Sequence, residues 1–153
     1  ASSEAKLELA RRLGAEVTLL GSRSDLLEAV QEATGGHGVD VLVEVVGGAG
    51  FAQSLQMLAY RGRLLAVGSA SRELAQMHPV SLMKRNQSVI GVWLTPFLAD
   101  PQALQEATAF LSPLLASGAV RPVVGKVFGL EQAAEAFAYV TGRHSSGKVV
   151  LTP

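Results

Sequence analysis

Few side chains in this sequence are spaced to do chemistry by themselves. The three histidines, His37, His78 and His144, fall in separate loops with no Asp or Glu at ligand or triad spacing, and are assigned surface roles. Cysteine is absent, which removes disulfides, thiolate metal sites and cysteine nucleophiles together. Glu44 interrupts an apolar run and is a candidate general base, but it reads better as a strand-end carboxylate bonded to nearby backbone. Val46-Gly47-Gly48 and Val67-Gly68-Ser69 end two apolar runs in small residues, which would let a ligand approach the backbone closely. Ordinary strand-to-helix turns explain one such cluster more easily than both. Ser2, Ser3 and Lys6 read on their own as a serine cap and an exposed lysine. Arg143 and Lys148, flanking Ser145-Ser146-Gly147, read as a solvated loop with a basic rim. Gly35-Gly36-His37-Gly38 follows a helical segment instead of preceding one and reads as a turn, and no G-x-G-x-x-G phosphate loop occurs. Such a set is suited to positioning a bound molecule.

The elements that must position these residues alternate in type. Leu7, Ala10 and Leu13 mark a helix over residues 3–13 that stops at Gly14. Glu16 to Leu20 predicts a strand, and the Asp25/Glu28 spacing predicts a capping box opening a helix that runs to Gly35-Gly36. Val39 to Val46 suits a strand buried on both faces. A helix over Phe51–Ala59, a turn at Arg61-Gly62 and a strand over Arg63–Val67 follow. Then come a short helix at Pro79–Arg85 and a strand at Ser88–Leu94. Asp100-Pro101 signals a helix start, and Leu104, Ala107, Leu111 and Leu114 line one face of that helix up to Gly118. An extended run at Arg121–Phe128, a helix at Glu131–Val140 and a strand at Lys148–Thr152 close the pattern. Strands spaced by helices of this length imply an α/β fold with a mostly parallel sheet.

Composition narrows the partners. The 153 residues are 48% hydrophobic and 17% charged, with 13 basic and 13 acidic side chains cancelling. A neutral chain has no long-range attraction for nucleic acid or anionic lipid, so neither is an expected partner. No signal peptide and no membrane-spanning run is apparent, so a cytoplasmic globule is expected.

Several segments together carry a resemblance. They are Ala1-Ser2-Ser3-Glu4-Ala5-Lys6 with Leu13-Gly14-Ala15, Thr34 to Asp40, Gly62 to Gly68, Asn86 to Gly91, Arg121 to Gly125, and Ser146 to Val150. In order and spacing they resemble zinc-independent quinone oxidoreductases, the zeta-crystallin relatives, of the medium-chain dehydrogenase/reductase superfamily. The resemblance implies a partial Rossmann-type doubly wound sheet over residues 1–120. It also implies that residues 121–153 are a returning tail of the catalytic, GroES-like lobe. It places the start of the chain after the Gly-rich loop, so the isolated chain is expected to bind dinucleotide weakly and to be inactive. Hydride transfer from NADPH to a quinone or activated enone is the implied activity, with no covalent intermediate and no metal.

By the same resemblance, Ser2, Ser3 and Lys6 would hold the 2′-phosphate that distinguishes NADPH from NADH. Val46, Gly47, Val67, Gly68 and Ser69 would pass beneath the ribose and nicotinamide, with Arg143, Gly147 and Lys148 reaching the cofactor from the tail. Gly21 stands where an aromatic often covers the adenine, so Arg23 would have to substitute or the site is looser. A homodimer through Ser88–Leu94 is implied, with Trp93 and Phe97 at the contact. Two rival readings are a non-catalytic nucleotide-binding or dimerisation module, and a structural or RNA-associated role. Neutral charge and the lack of a basic aromatic patch count against the last.

Overall fold

The computed structural model describes residues 1–142 and 144–153. The chain forms two compact units, Ala1–Thr95 and Pro96–Pro153. None of the described helices is long and apolar enough to cross a membrane.

The first unit contains α1 (Glu4–Arg12), α2 (Leu26–Ala33), β1 (Val39–Glu44), α3 (Gly50–Met57), β2 (Leu58–Ala66), α4 (Pro79–Met83) and β3 (Ser88–Gly91). Its strands form a parallel sheet in the order β1-β2-β3. The register aligns Leu42, Leu64 and Val89 across the sheet, so three apolar side chains share one face. Phe51 and Leu55 of α3 pack there with Leu58 and Leu64, and Leu82 joins from α4. That cluster is the reason the crossover from β1 to β2 lies on this face: the apolar side of α3 has nowhere else to be buried.

Local expectations were met unevenly. Residues 16–20 form no regular strand. Ala1 supplies a single parallel bridge: its ammonium donates to Leu19 O at 2.8 Å and Gly21 N donates to Ala1 O at 2.8 Å. Asp25 sits at the N-cap of α2 but its side chain caps nothing, because Arg23 holds both carboxylate oxygens, at 2.8 and 2.6 Å. Helix α3 stops before the predicted end, since Leu58 turns extended to pair with Val39 and is fully buried with Ala59. Strand β1 is covered on one face only, with Val41 and Val43 exposed on the other. Strand β3 ends at Gly91, and Leu94 opens a short helix, α5 (Leu94–Leu98), which spans the junction of the two units.

The second unit holds α6 (Pro101–Ala116), β4 (Val124–Gly129), a 3-10 turn (Leu130–Gln132), α7 (Ala133–Thr141) and β5 (Lys148–Thr152). Asp100 caps α6 as expected, accepting from Gln102 N and Ala103 N at 3.0 and 3.2 Å, with Pro101 at the first helical position. Leu104 and Leu111 of its predicted apolar face remain exposed. Strands β4 and β5 pair in parallel, joined through α7, whose Ala136 is buried with Phe128 of β4. Phe128 meets Tyr139 edge-on, and Lys126 Nζ lies over both rings at 4.7 and 4.6 Å.

Candidate cofactor site

The carboxyl ends of β1 and β2 are neighbours because the strands run parallel and in register through Glu44 and Ala66. Beyond the sheet the two chains stay in contact. Val67 N donates to Glu44 O, Ala70 N to Val45 O and Ser71 N to Val46 O, at 2.9, 3.1 and 2.9 Å. The two predicted small-residue clusters therefore form one cradle. Gly47 has φ of +73°, and a side chain there would come within 3.1 Å of Ser69 Oγ. Both the backbone conformation and the close approach call for glycine.

Glu44 fixes this cradle from beneath. Only 7% exposed, its Oε1 accepts from Val46 N at 2.7 Å and Gly47 N at 3.1 Å, and its Oε2 accepts from Ser54 Oγ at 2.9 Å. Burial pushes the carboxyl pKa up, but the hydrogen bonds from Val46, Gly47, Ser54 and Val45 outweigh it and leave the pKa lowered. A carboxylate so occupied is a brace for the strand end and has no free lone pair aimed at a substrate proton. Ser54, ten residues on in α3, was not singled out by the sequence; only the crossover brings it to Glu44. Glu73 was also missed: its carboxylate stands where a side chain on Gly48 would fall.

At the start of α1, Ser3 is extended, with φ of −155°, and its carbonyl accepts from Lys6 N and Leu7 N at 3.1 Å each. Its hydroxyl makes no cap hydrogen bond, so the capping role expected of a serine there is not taken up. Lys6 Nζ donates to Ser2 Oγ at 3.4 Å, bringing the ammonium and that hydroxyl together. Arg23 is engaged by Asp25, whose pKa the pairing lowers to about 2, so it is not free to stand in for the missing aromatic.

In the second unit, Gly147 precedes Lys148 with φ of +80°, and a side chain on Gly147 would strike the Val123 carbonyl. Lys148 N donates to that carbonyl at 2.7 Å, so β5 begins where β4 is most closely approached. Arg143 lies outside the described residues. His37 contacts Asp40 at 3.0 Å, a surface pair whose three-residue spacing the sequence reading passed over, and His78 Nδ1 accepts from Val80 N at the start of α4. Among the described residues no group of His, Cys, Asp and Glu could hold a metal ion.

Comparison with known proteins identifies the lineage. A family profile described as zinc-binding dehydrogenase matches residues 13–151. The chain is 35% identical to a quinone oxidoreductase-like protein 2 homolog of Nematostella vectensis, over 99% of this chain and 42% of that protein. It is 33% identical to the 2-haloacrylate reductase of a Burkholderia species, over 99% of this chain and 46% of that protein. The quinone oxidoreductase of Thermus thermophilus, solved also as its NADPH complex, superposes with a TM-score of 0.87 at 39% identity, covering 100% of this chain and 48% of that one. The chain thus spans less than half the length of the relatives it matches. The zinc in the family description finds no ligand set among the described residues. By sequence and by fold, the chain belongs to the zinc-binding dehydrogenase family, as a quinone oxidoreductase-like member of the medium-chain dehydrogenase/reductase superfamily.

Proposed function

We propose that this chain is the C-terminal cofactor-binding part of a zinc-independent, cytoplasmic oxidoreductase that transfers hydride from NADPH to a quinone or activated enone. The observation that carries the reading is the cradle of Val46-Gly47 against Gly68-Ser69, at the carboxyl ends of adjacent parallel strands. Open α/β sheets bind ligands at that end. In this reading residues 1–120 supply the nucleotide fold and residues 121–153 return to the catalytic lobe.

Bound NADPH supplies the hydride; the chain's residues hold and orient it. Ser2 and Ser3 hydroxyls and the Lys6 ammonium take the 2′-phosphate, a role supported by the uncapped Ser3 and by the Lys6–Ser2 contact. Val46, Gly47, Val67, Gly68 and Ser69 form a floor without bulky polar side chains beneath the ribose and nicotinamide. The resemblance also assigns Arg143, Gly147 and Lys148 to cofactor binding. The reading asks none of these side chains to act as a nucleophile or an acid–base catalyst, which suits a hydride transfer that needs positioning above all. The acceptor class rests on the relatives' names: a quinone and a 2-haloacrylate are both electron-poor conjugated systems.

Cofactor titrations test the assignment in the protein that carries this segment at the relatives' full length. Lys6→Ala should weaken NADPH binding by about 1.5–3 kcal/mol, the scale of a charge-assisted hydrogen bond, and leave NADH binding unchanged. Equal losses for both cofactors would refute it.

A further inference from the structure

At the other end of the same sheet, the amino ends of the strands border a cleft of about 660 Å³ lined by Asp40, Tyr60, Arg61, Arg63, Asn86 and Ser88. Nothing in the hydride-transfer reading uses it. Its lining is rich in donors: two guanidinium groups, an amide and two hydroxyls. Among the described residues neither Arg61 nor Arg63 has a carboxylate within ion-pair distance. The one acid on the wall, Asp40, already has His37 Nε2 at 3.0 Å. We infer that this cleft is a second binding site, for a phosphate or phosphate-ester anion held by Arg61 and Arg63.

The scaffold is pre-organised for such a ligand. Arg63 and Ser88 are register partners on β2 and β3, so their side chains stand next to each other. The segments on either side are tied by four hydrogen bonds. Arg61 N donates to Arg85 O at 2.9 Å, Asn86 Nδ2 to Tyr60 Oη at 2.9 Å, and Gln87 Nε2 to the carbonyls of Leu58 and Ala59 at 3.1 and 3.2 Å. Arg61 and Asn86 both adopt left-handed backbone, with φ of +63° and +50°. An arginine in that region is strained where a glycine would not be, so the chain carries the cost while keeping the guanidinium at the cleft. Two cations facing one cleft match the charge of a phosphate monoester, close to two negative charges at neutral pH. A carboxylate would satisfy only one of them in bidentate fashion.

The test is calorimetric titration of this chain with inorganic phosphate, against chloride at equal ionic strength. Saturable phosphate binding is expected, weakened about tenfold by Arg63→Gln, the effect of losing one charge-assisted pair. Arg61→Gly is the second variant: it should weaken phosphate binding while raising the melting temperature, since glycine relieves the left-handed strain. It keeps the test decisive if Arg63→Gln folds poorly. The titrations are repeated in a Lys6→Ala background, which removes the phosphate-binding cation of the proposed cofactor site, so that binding read there belongs to the cleft. Loss of binding in Lys6→Ala with retention in both arginine variants would overturn the cleft assignment. So would binding that chloride abolishes equally, or no binding. Glycerol phosphate binding tighter than inorganic phosphate would identify an esterified ligand, and equal affinities would identify free phosphate; either supports the site.

Discussion

Glu44 is the side chain on which the strand-end cradle depends most directly. Glu44→Ala would leave the Val46 N–H and the buried Gly47 N–H without their acceptor, so a loss of about 1–3 kcal/mol in urea unfolding is expected. Glu44→Gln keeps an acceptor for the two N–H groups and can donate to Ser54, so it should cost only about 1 kcal/mol. The two variants differ from the parent in pH dependence as well. The folded pKa lies below the ordinary 4.5, so the stabilisation by the carboxylate is fully present above that value. It is lost as pH falls through the folded pKa. Unfolding free energies measured from neutral pH down to acid should therefore show a steeper decline for the parent than for Glu44→Gln; parallel curves would contradict the assignment. This residue was legible in part. An acid interrupting a Val/Leu run with two glycines beyond it reads as a strand-end carboxylate bonded to nearby backbone, and it is one. That Ser54 completes the set was not legible, because ten residues of helix separate the partners. The Arg23–Asp25 pair shows the converse, since a local charge pairing overrode a capping pattern that was correct in spacing.

Elements were legible where the signal was local and self-sufficient. Asp100-Pro101 combines an acceptor side chain with a residue that needs no N–H partner, and the cap formed as expected. Asp100→Ala should cost about 0.5–2 kcal/mol of stability, since two backbone donors lose their acceptor. A glycine at the same position should cost only a few tenths, and if both substitutions prove equally harmless in thermal unfolding the cap contributes nothing. Elements that depend on a distant partner were less legible. Residues 16–20 have the composition of a strand, yet they form none, and Thr18 Oγ1 is left buried without a hydrogen bond. The join of α3 and β2 moved for a related reason: Leu58 gains more by entering the core beside Val39 than by one further turn of helix. Strand β1 was expected to be buried on both faces, but only α3 and its neighbours cover it, on one.

Each unit leaves apolar surface in water, and the pattern on the sheet bears on how copies of this chain associate. Strand β3 pairs with β2 alone, so its outer edge presents unpaired backbone groups. Over Ser88–Gly91 it carries no charge and no proline to discourage pairing, whereas the edge at β1 carries Asp40. Ile90, Val92 and Trp93 are exposed beside it, Trp93 at 72%. We expect a homodimer in which β3 pairs antiparallel with its own copy across a two-fold axis. Trp93 would be a buried anchor of that contact, and Trp93→Ala should cost about 2 kcal/mol or more of association. Charge substitutions must be placed with care. Val89 packs on the Leu64 cluster, so lysine there would damage the fold. Ile90 alternates with Val89 and faces away from that cluster, and Val92 is exposed just beyond the strand, so lysines at both would set like charges near each other across the axis. Light scattering should find a dimer for the parent and a monomer for Ile90→Lys/Val92→Lys, with circular dichroism unchanged. A monomeric parent, or a dimer that persists in the double variant, would place the association elsewhere than β3.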